Sequence, residues 1–193
     1  MKLTQCFIKG RKSAGFTEAY ERELQVAPKS ILEIGVQSGN SLRMWREAYP
    51  DAKVVGIDVD PDVGMAEDCL TIIGDGHDPE FLAKVWDEHG PFDLVIDDGS
   101  HQVADQIRTF GALLPLMGKG STYVCEDLHT SYWREFAHGG EPTFVDRTKA
   151  AVDELHVYAR NSDRHHLKPS FPLETPPNFS SLAVYPGIVF FRV

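Results

Sequence analysis

Short apolar runs alternate along the chain with stretches in which apolar residues recur every three or four positions. The runs at 30–36, 52–60, 69–76, 92–99 and 120–128 are short and apolar, and each carries Gly, Asp or Glu toward its end. Such runs predict strands buried on both faces. The intervening stretches predict helices. Residues 39–50 place Leu42, Trp45 and Ala48 at helical spacing and stop at Pro50. Residues 78–90 have an acidic start and a Gly stop, residues 104–117 are interrupted by Pro115, and residues 144–160 complete the set. A further helix is predicted over 17–25, with Thr17 or Ser13 as its cap. The end, 180–193, reads as two strands around Pro186-Gly187, a hairpin.

A strand followed by a helix, repeated about five times, implies an α/β fold with a mostly parallel sheet covered on both faces. The closing hairpin adds antiparallel strands, for seven in all. The expectation is a single domain over 1–193, with an N-terminal helical segment (1–29) and a Pro-rich loop (161–179). In such sheets ligands sit beyond the carboxyl ends of the strands, where the strand order reverses.

Composition narrows the function. The hydrophobic fraction of 42% supports a core, and the net charge of −10 repels nucleic acid and anionic membranes. Cys6, Cys69 and Cys125 form neither a CxxC nor a disulfide framework, which suggests a reducing compartment. The first residues lack the apolar run of a secretory signal, and no stretch approaches the roughly 20 apolar residues that span a bilayer. The expectation is a cytoplasmic protein without membrane or nucleic-acid partners.

The chemistry-bearing residues cluster at predicted strand ends. "EIGVQSGNS" gives Glu33-x-Gly35-x-x-x-Gly39 between a strand and a helix. Glycines there let backbone N–H groups approach a ligand; the alternative is an ordinary tight turn. The spacing is not G-x-G-x-x-G, which weakens a dinucleotide reading. Asp58 ends the second strand, where an acid can accept ribose hydroxyls. Asp75 ends the third, where a carboxylate can receive an adenine amino group. Each could also be a simple turn aspartate. Asp97 and Asp98 end the fourth strand, and Glu126 and Asp127 the fifth. Four carboxylates on neighbouring strands repel unless a cation joins them. Oxygen-only ligands favour Mg²⁺, with Mn²⁺ or Ca²⁺ as alternatives, over zinc. His101, three residues after Asp98, could take a proton near neutral pH. Tyr132 and Trp133 offer aromatic faces to a substrate, although a core role fits Trp133 as well. His129, His165 and His166 read as polar surface residues.

The order Glu33-x-Gly35-x-x-x-Gly39, Asp58, Asp75 resembles the S-adenosylmethionine site of class I methyltransferases, whose Rossmann-like fold also ends in a hairpin. The resemblance implies that Glu33, Gly35, Ser38, Gly39 and Ser41 lie by the methionine part. It places Asp58 at the ribose and Asp75 by the adenine, with Asp97 supporting the cofactor side. "DDGSH" and "EDLHTSYW" together resemble the metal-dependent sugar O-methyltransferases of macrolide biosynthesis, the macrocin and mycinamicin type, and their cephalosporin-hydroxylase-like relatives. That implies Asp98, Glu126 and Asp127 as metal ligands, His101 as general base and a sugar hydroxyl as acceptor, in a small molecule or glycosylated natural product. Homo-oligomers are also expected. A catechol-like acceptor and a non-catalytic binding relative stand as alternatives, and the carboxylate-rich set counts against an iron oxidation site.

Overall fold

The structure is a computed structural model; it describes residues 3–10, 14–64, 66–137, 142–157 and 177–193. Five strands run parallel: β1 (Ser30–Ile34), β2 (Lys53–Asp58), β3 (Leu70–Ile73), β4 (Leu94–Asp97) and β5 (Thr122–Cys125). The hairpin β6 (Ser181–Tyr185) and β7 (Ile188–Arg192) completes the sheet in the order β3-β2-β1-β4-β5-β7-β6. β7 runs antiparallel to both β5 and β6. The order reverses between β1 and β4, and the expected α/β architecture is present.

Helices cover both faces. α1 (Leu3–Gly10), α2 (Ala14–Glu23) and α3 (Asn40–Ala48) pack on one; α4 (Pro79–His89), α5 (Val103–Leu113) and α6 (Phe144–Val157) pack on the other. Along each central strand the side chains alternate between the two cores. In β4, Val95 enters the α4–α6 side, while Leu94 and Ile96 enter the α1–α3 side. β1, β2, β4 and β5 are buried on both faces, which is why they read as continuous apolar runs rather than alternating ones; β3 lies at the sheet edge with Leu70 and Ile73 exposed.

On the α1–α3 side, Tyr20 meets Phe7, Trp45 and Phe190 at ring-centroid separations of 5.2, 5.2 and 5.1 Å, mostly edge to face. Pairs of this kind each add about 0.5–1.5 kcal/mol beyond burial. α2 is also tied to the hairpin, because Arg192 and Tyr185 both bond the Glu23 carboxylate.

Several elements differ from the sequence expectation; α2 begins at Ala14 and ends at Glu23, so Thr17 lies within it and does not cap it. α1 was not foreseen as a separate helix. The helix expected over 104–117 ends at Leu113, and Pro115 lies within a 3₁₀ turn, Leu114–Leu116, because its ring cannot continue the α-helical ladder. β5 stops at Cys125, and Leu128–Tyr132 forms a second 3₁₀ turn. Most of the Pro-rich loop (161–176), with His165 and His166, lies outside the described residues. No helix among the described residues is long and apolar enough to cross a membrane.

Candidate active site

Parallel register brings the acidic strand ends together. Ile34 of β1 faces Asp97 of β4, and Asp97 faces Cys125 of β5. The ladder continues one step further: Asp98 N–H donates to the Ile34 carbonyl (3.0 Å) and Glu126 N–H to the Asp97 carbonyl (3.0 Å). Asp98 and Asp127 therefore leave the sheet side by side, at the switch point.

A cavity of about 820 Å³ opens there. Its wall includes Gly35, Ser38 and Ser41 of the first loop, Asp58, Asp75, Asp98, His101 and Asp127. Six aspartates line it in all (58, 60, 62, 75, 98 and 127), and no Lys or Arg stands among its described wall residues. Such a wall favours a positively charged ligand or a cation.

The first loop is fixed from below by Asp58. Its Oδ2 accepts from Val36 N–H and Gln37 N–H, both at 2.8 Å, and its Oδ1 from Asp60 N–H at 3.0 Å. Burial alone would raise the Asp58 carboxyl, but these backbone donors outweigh it and hold it below its usual range. Gly35 has φ of 93°, and a Cβ there would lie 2.1 Å from the Asp98 carbonyl oxygen. Only glycine lets the first loop and the DDGSH loop touch in this way.

Asp98, His101 and Asp127 form one cluster, with ligand atoms all within 4.8 Å of one another. His101 Nε2 is 3.5 Å from Asp127 Oδ2. Both His101 (φ 60°) and Asp127 (φ 55°) have left-handed backbone. The Thr130 hydroxyl bridges them, within 3.1 Å of the His101 carbonyl oxygen and 2.8 Å of that of Asp127. Two carboxylates and an imidazole this close suit a hard divalent cation bound mainly by oxygen.

The other expected site residues stand behind the wall. Strand alternation sends Asp97 to the α4–α6 face, where it is buried and accepts from Tyr123 Oη at 3.0 Å. Burial pushes its carboxyl up to about 7, against the opposing bonds from Tyr123 and the Gly99 N–H. Glu126 points to the opposite face, also buried, and accepts from Tyr20 Oη at 2.6 Å. Glu33 follows Ile31 in the strand alternation and is fully buried, so its carboxylate is not on the cavity wall. Gly39 is likewise off the wall. Tyr132 and Trp133, 73% and 47% exposed, stand off the cavity wall at the far end of the 3₁₀ turn that Asp127 opens. Trp133 is therefore no core residue. His129 packs edge-on against it at 4.7 Å and brings Nδ1 within 3.7 Å of Asp127.

Sequence reasoning missed His77, Gln37 and Asp60, all on the wall. His77 Nδ1 lies 2.8 Å from Thr109 Oγ1, and its Nε2 accepts a long bond (3.4 Å) from Ser100 N–H. It thus supports the DDGSH loop from beneath, and burial lowers its pKa. Its position two residues beyond Asp75, at a strand end, was the available signal.

A family described as a methyltransferase domain matches residues 32–128. Among curated relatives, a tetracenomycin 3'-O-methyltransferase of Streptomyces olivaceus is 38% identical over 157 residues, 73% of this chain and 40% of that protein. The mycinamicin VI 2''-O-methyltransferase of Micromonospora griseorubida is 34% identical over 195 residues, 91% of this chain and 47% of that protein. The solved structure of MycE methyltransferase, in complex with Mg and SAH, matches with a TM-score of 0.83 at 30% identity, covering 100% of this chain and 54% of that one. The chain thus spans about half the length of the relatives it matches. Because the family match covers half of the sequence and holds the first loop, the DDGSH loop and both acidic strand ends, the chain belongs to the methyltransferase-domain family.

Proposed function

We propose that the chain transfers the methyl group of S-adenosylmethionine to a hydroxyl of a sugar, with a divalent cation, Mg²⁺ first, at the switch point. The observation that carries this reading is the cluster of Asp98, His101 and Asp127 at the acidic cavity beside the first loop. Relatives named as O-methyltransferases of a rhamnosyl tetracenomycin and of mycinamicin VI support it, as does the MycE complex with Mg, SAH and mycinamycin VI.

The first loop and Ser38 and Ser41 would receive the methionine part of the cofactor, with Asp58 and Asp60 toward the ribose and Asp75 toward the adenine. A sulfonium cation suits a wall of aspartates. Asp97 and Glu33, both buried, would support this wall from behind. Asp98 and Asp127 would hold the cation, with Glu126 completing the set from the α1–α3 side. The cation would supply polarisation of the acceptor hydroxyl and a lower pKa for it. His101 would take the hydroxyl proton, and the oxygen would attack the methyl carbon in line with the departing sulfur. Tyr132 and Trp133, exposed at the end of the turn that follows Asp127, would cover the acceptor ring. Most of the acceleration would come from holding the two substrates in line.

Calorimetry with S-adenosylmethionine, followed by mass spectrometry over a panel of glycosylated acceptors, tests the reading. Binding of the cofactor and a mass gain of one methyl on a sugar, both sensitive to chelator where metal is needed, are expected. Absence of cofactor binding overturns it, and methylation restricted to catechols would reassign the acceptor.

A further inference from the structure

Glu126 is held from both faces of the sheet. On the α1–α3 side Tyr20 of α2, 106 residues away in sequence, donates its hydroxyl to Oε1 at 2.6 Å. On the α4–α6 side Gln106 of α5 donates Nε2 to the Glu126 backbone carbonyl at 3.2 Å. Both residues are almost fully buried. The Tyr20 ring is itself immobilised by Phe7, Trp45 and Phe190. Its hydroxyl lies in the field of Glu126, Glu33 and Asp98 together, so its donor is placed where carboxylates converge.

A carboxylate that must serve a cation needs its orientation fixed before the cation arrives. A free Glu side chain would lose rotamer freedom on binding, and its charge would repel Asp98 and Asp127 meanwhile. A hydrogen bond to one oxygen fixes the rotamer.

Resting on the metal reading above, we propose that Tyr20 and Gln106 are positioning residues that clamp Glu126 from opposite faces and thereby set the affinity of the divalent site. The N-terminal helices are, on this view, part of the metal site and not a mere cover.

The test is Mn²⁺ titration of the chain, followed by the paramagnetic resonance of free Mn²⁺. Six chains are compared: wild type, Tyr20→Phe, Gln106→Met, Asp98→Asn, Glu126→Gln and the Tyr20→Phe, Glu126→Gln double variant. Tyr20→Phe removes one oxygen and keeps the ring; a thermal melt establishes that each variant is folded. Outer-shell partners of metal ligands are usually worth about 10–100-fold in affinity, and a loss of roughly 10-fold or more is expected for Tyr20→Phe. Adding Tyr20→Phe to Glu126→Gln should then cause no additional loss, because a residue that acts through Glu126 has nothing left to position. A packing role alone would not produce that non-additivity. Wild-type affinity in folded Tyr20→Phe, with binding abolished in Asp98→Asn, overturns the clamp and leaves the metal reading standing. Failure of the wild-type chain to take up Mn²⁺ overturns the metal reading, and the clamp with it. Should Tyr20→Phe not fold, Gln106→Met decides by the same criterion.

Discussion

His101 and Asp127 occupy left-handed backbone that non-glycine residues rarely adopt, and Gln37, a third such residue, also lines the cavity. Backbone strain of this kind costs about 1–3 kcal/mol per residue and persists where surrounding contacts enforce it, as the Thr130 hydroxyl does here. The strain aims both side chains into one cluster. If His101 takes the acceptor proton, His101→Ala should slow methyl transfer about 10²–10⁴-fold, with cofactor binding unchanged. Single-turnover rates beside calorimetry would check this, and an active variant would remove the base assignment. Asp58 gives a second prediction, of opposite character. Its folded pKa lies below the usual carboxylate value because backbone donors outweigh burial. A depressed carboxylate pKa contributes stability that is present above the unfolded value, near 4, and lost as pH falls through the folded one. Urea midpoints of wild type should therefore fall more steeply than those of Asp58→Asn as pH drops below about 4. Parallel pH profiles would show that the bonds to Val36, Gln37 and Asp60 carry no net stabilisation.

Individual elements were legible where local chemistry decides them. The four inner parallel strands, β1, β2, β4 and β5, could be read because two buried faces demand unbroken apolar runs; β3, at the sheet edge, kept an apolar run although Leu70 and Ile73 are exposed. α4 announced itself through Asp78, which caps it by accepting from Glu80 N–H at 3.0 Å, followed by Pro79. α6 begins at a similar device: Thr143 accepts from Asp146 N–H, and Asp146 accepts in return from the Thr143 backbone N–H and hydroxyl. Thr143→Ala should cost about 1 kcal/mol in a denaturant melt. Bonds from Lys149 and Thr143 hold the Asp146 carboxyl down at about 2. Its support for α6 is thus full above the unfolded value, near 4, and fades as pH descends toward the folded one. In Asp146→Asn that acid sensitivity should shrink. What remained hidden depends on distance. The acid pairs at 97–98 and 126–127 are visible as neighbours in the sequence, but which member of each pair reaches the cavity is set by strand alternation, which sends Asp97 and Glu126 to opposite faces. Tyr20 carries no local mark of its bond to Glu126, since nothing within α2 distinguishes that tyrosine from a core aromatic. α1 is short, Leu3–Gly10, and only packing on α2 and α3 makes it a helix.

At the scale of the molecule, the dominant fact is negative charge gathered at one end of the sheet. The chain carries −10 overall, and six aspartates face one cavity. The fold holds them there because the parallel strands end on one side of the sheet and so place every one of these loops on the same edge. Bringing like charges together opposes folding, and a ligand that neutralises them must stabilise the folded chain in return. A cation that binds only the folded form at 100 times its dissociation constant adds about 2.7 kcal/mol. For a chain of this length each kcal/mol moves the melting temperature by roughly 2–4 °C, so saturating Mg²⁺ should raise it by about 5–10 °C. General screening of the net charge would also stabilise, but Na⁺ at equal ionic strength would do that equally well. The two origins separate in Asp98→Asn. A specific site loses the Mg²⁺ shift in that variant while the Na⁺ response persists. Equal shifts with either salt in both chains would show that the crowded carboxylates tolerate one another without a metal, and the pairing of Asp98 with Asp127 would then need another explanation.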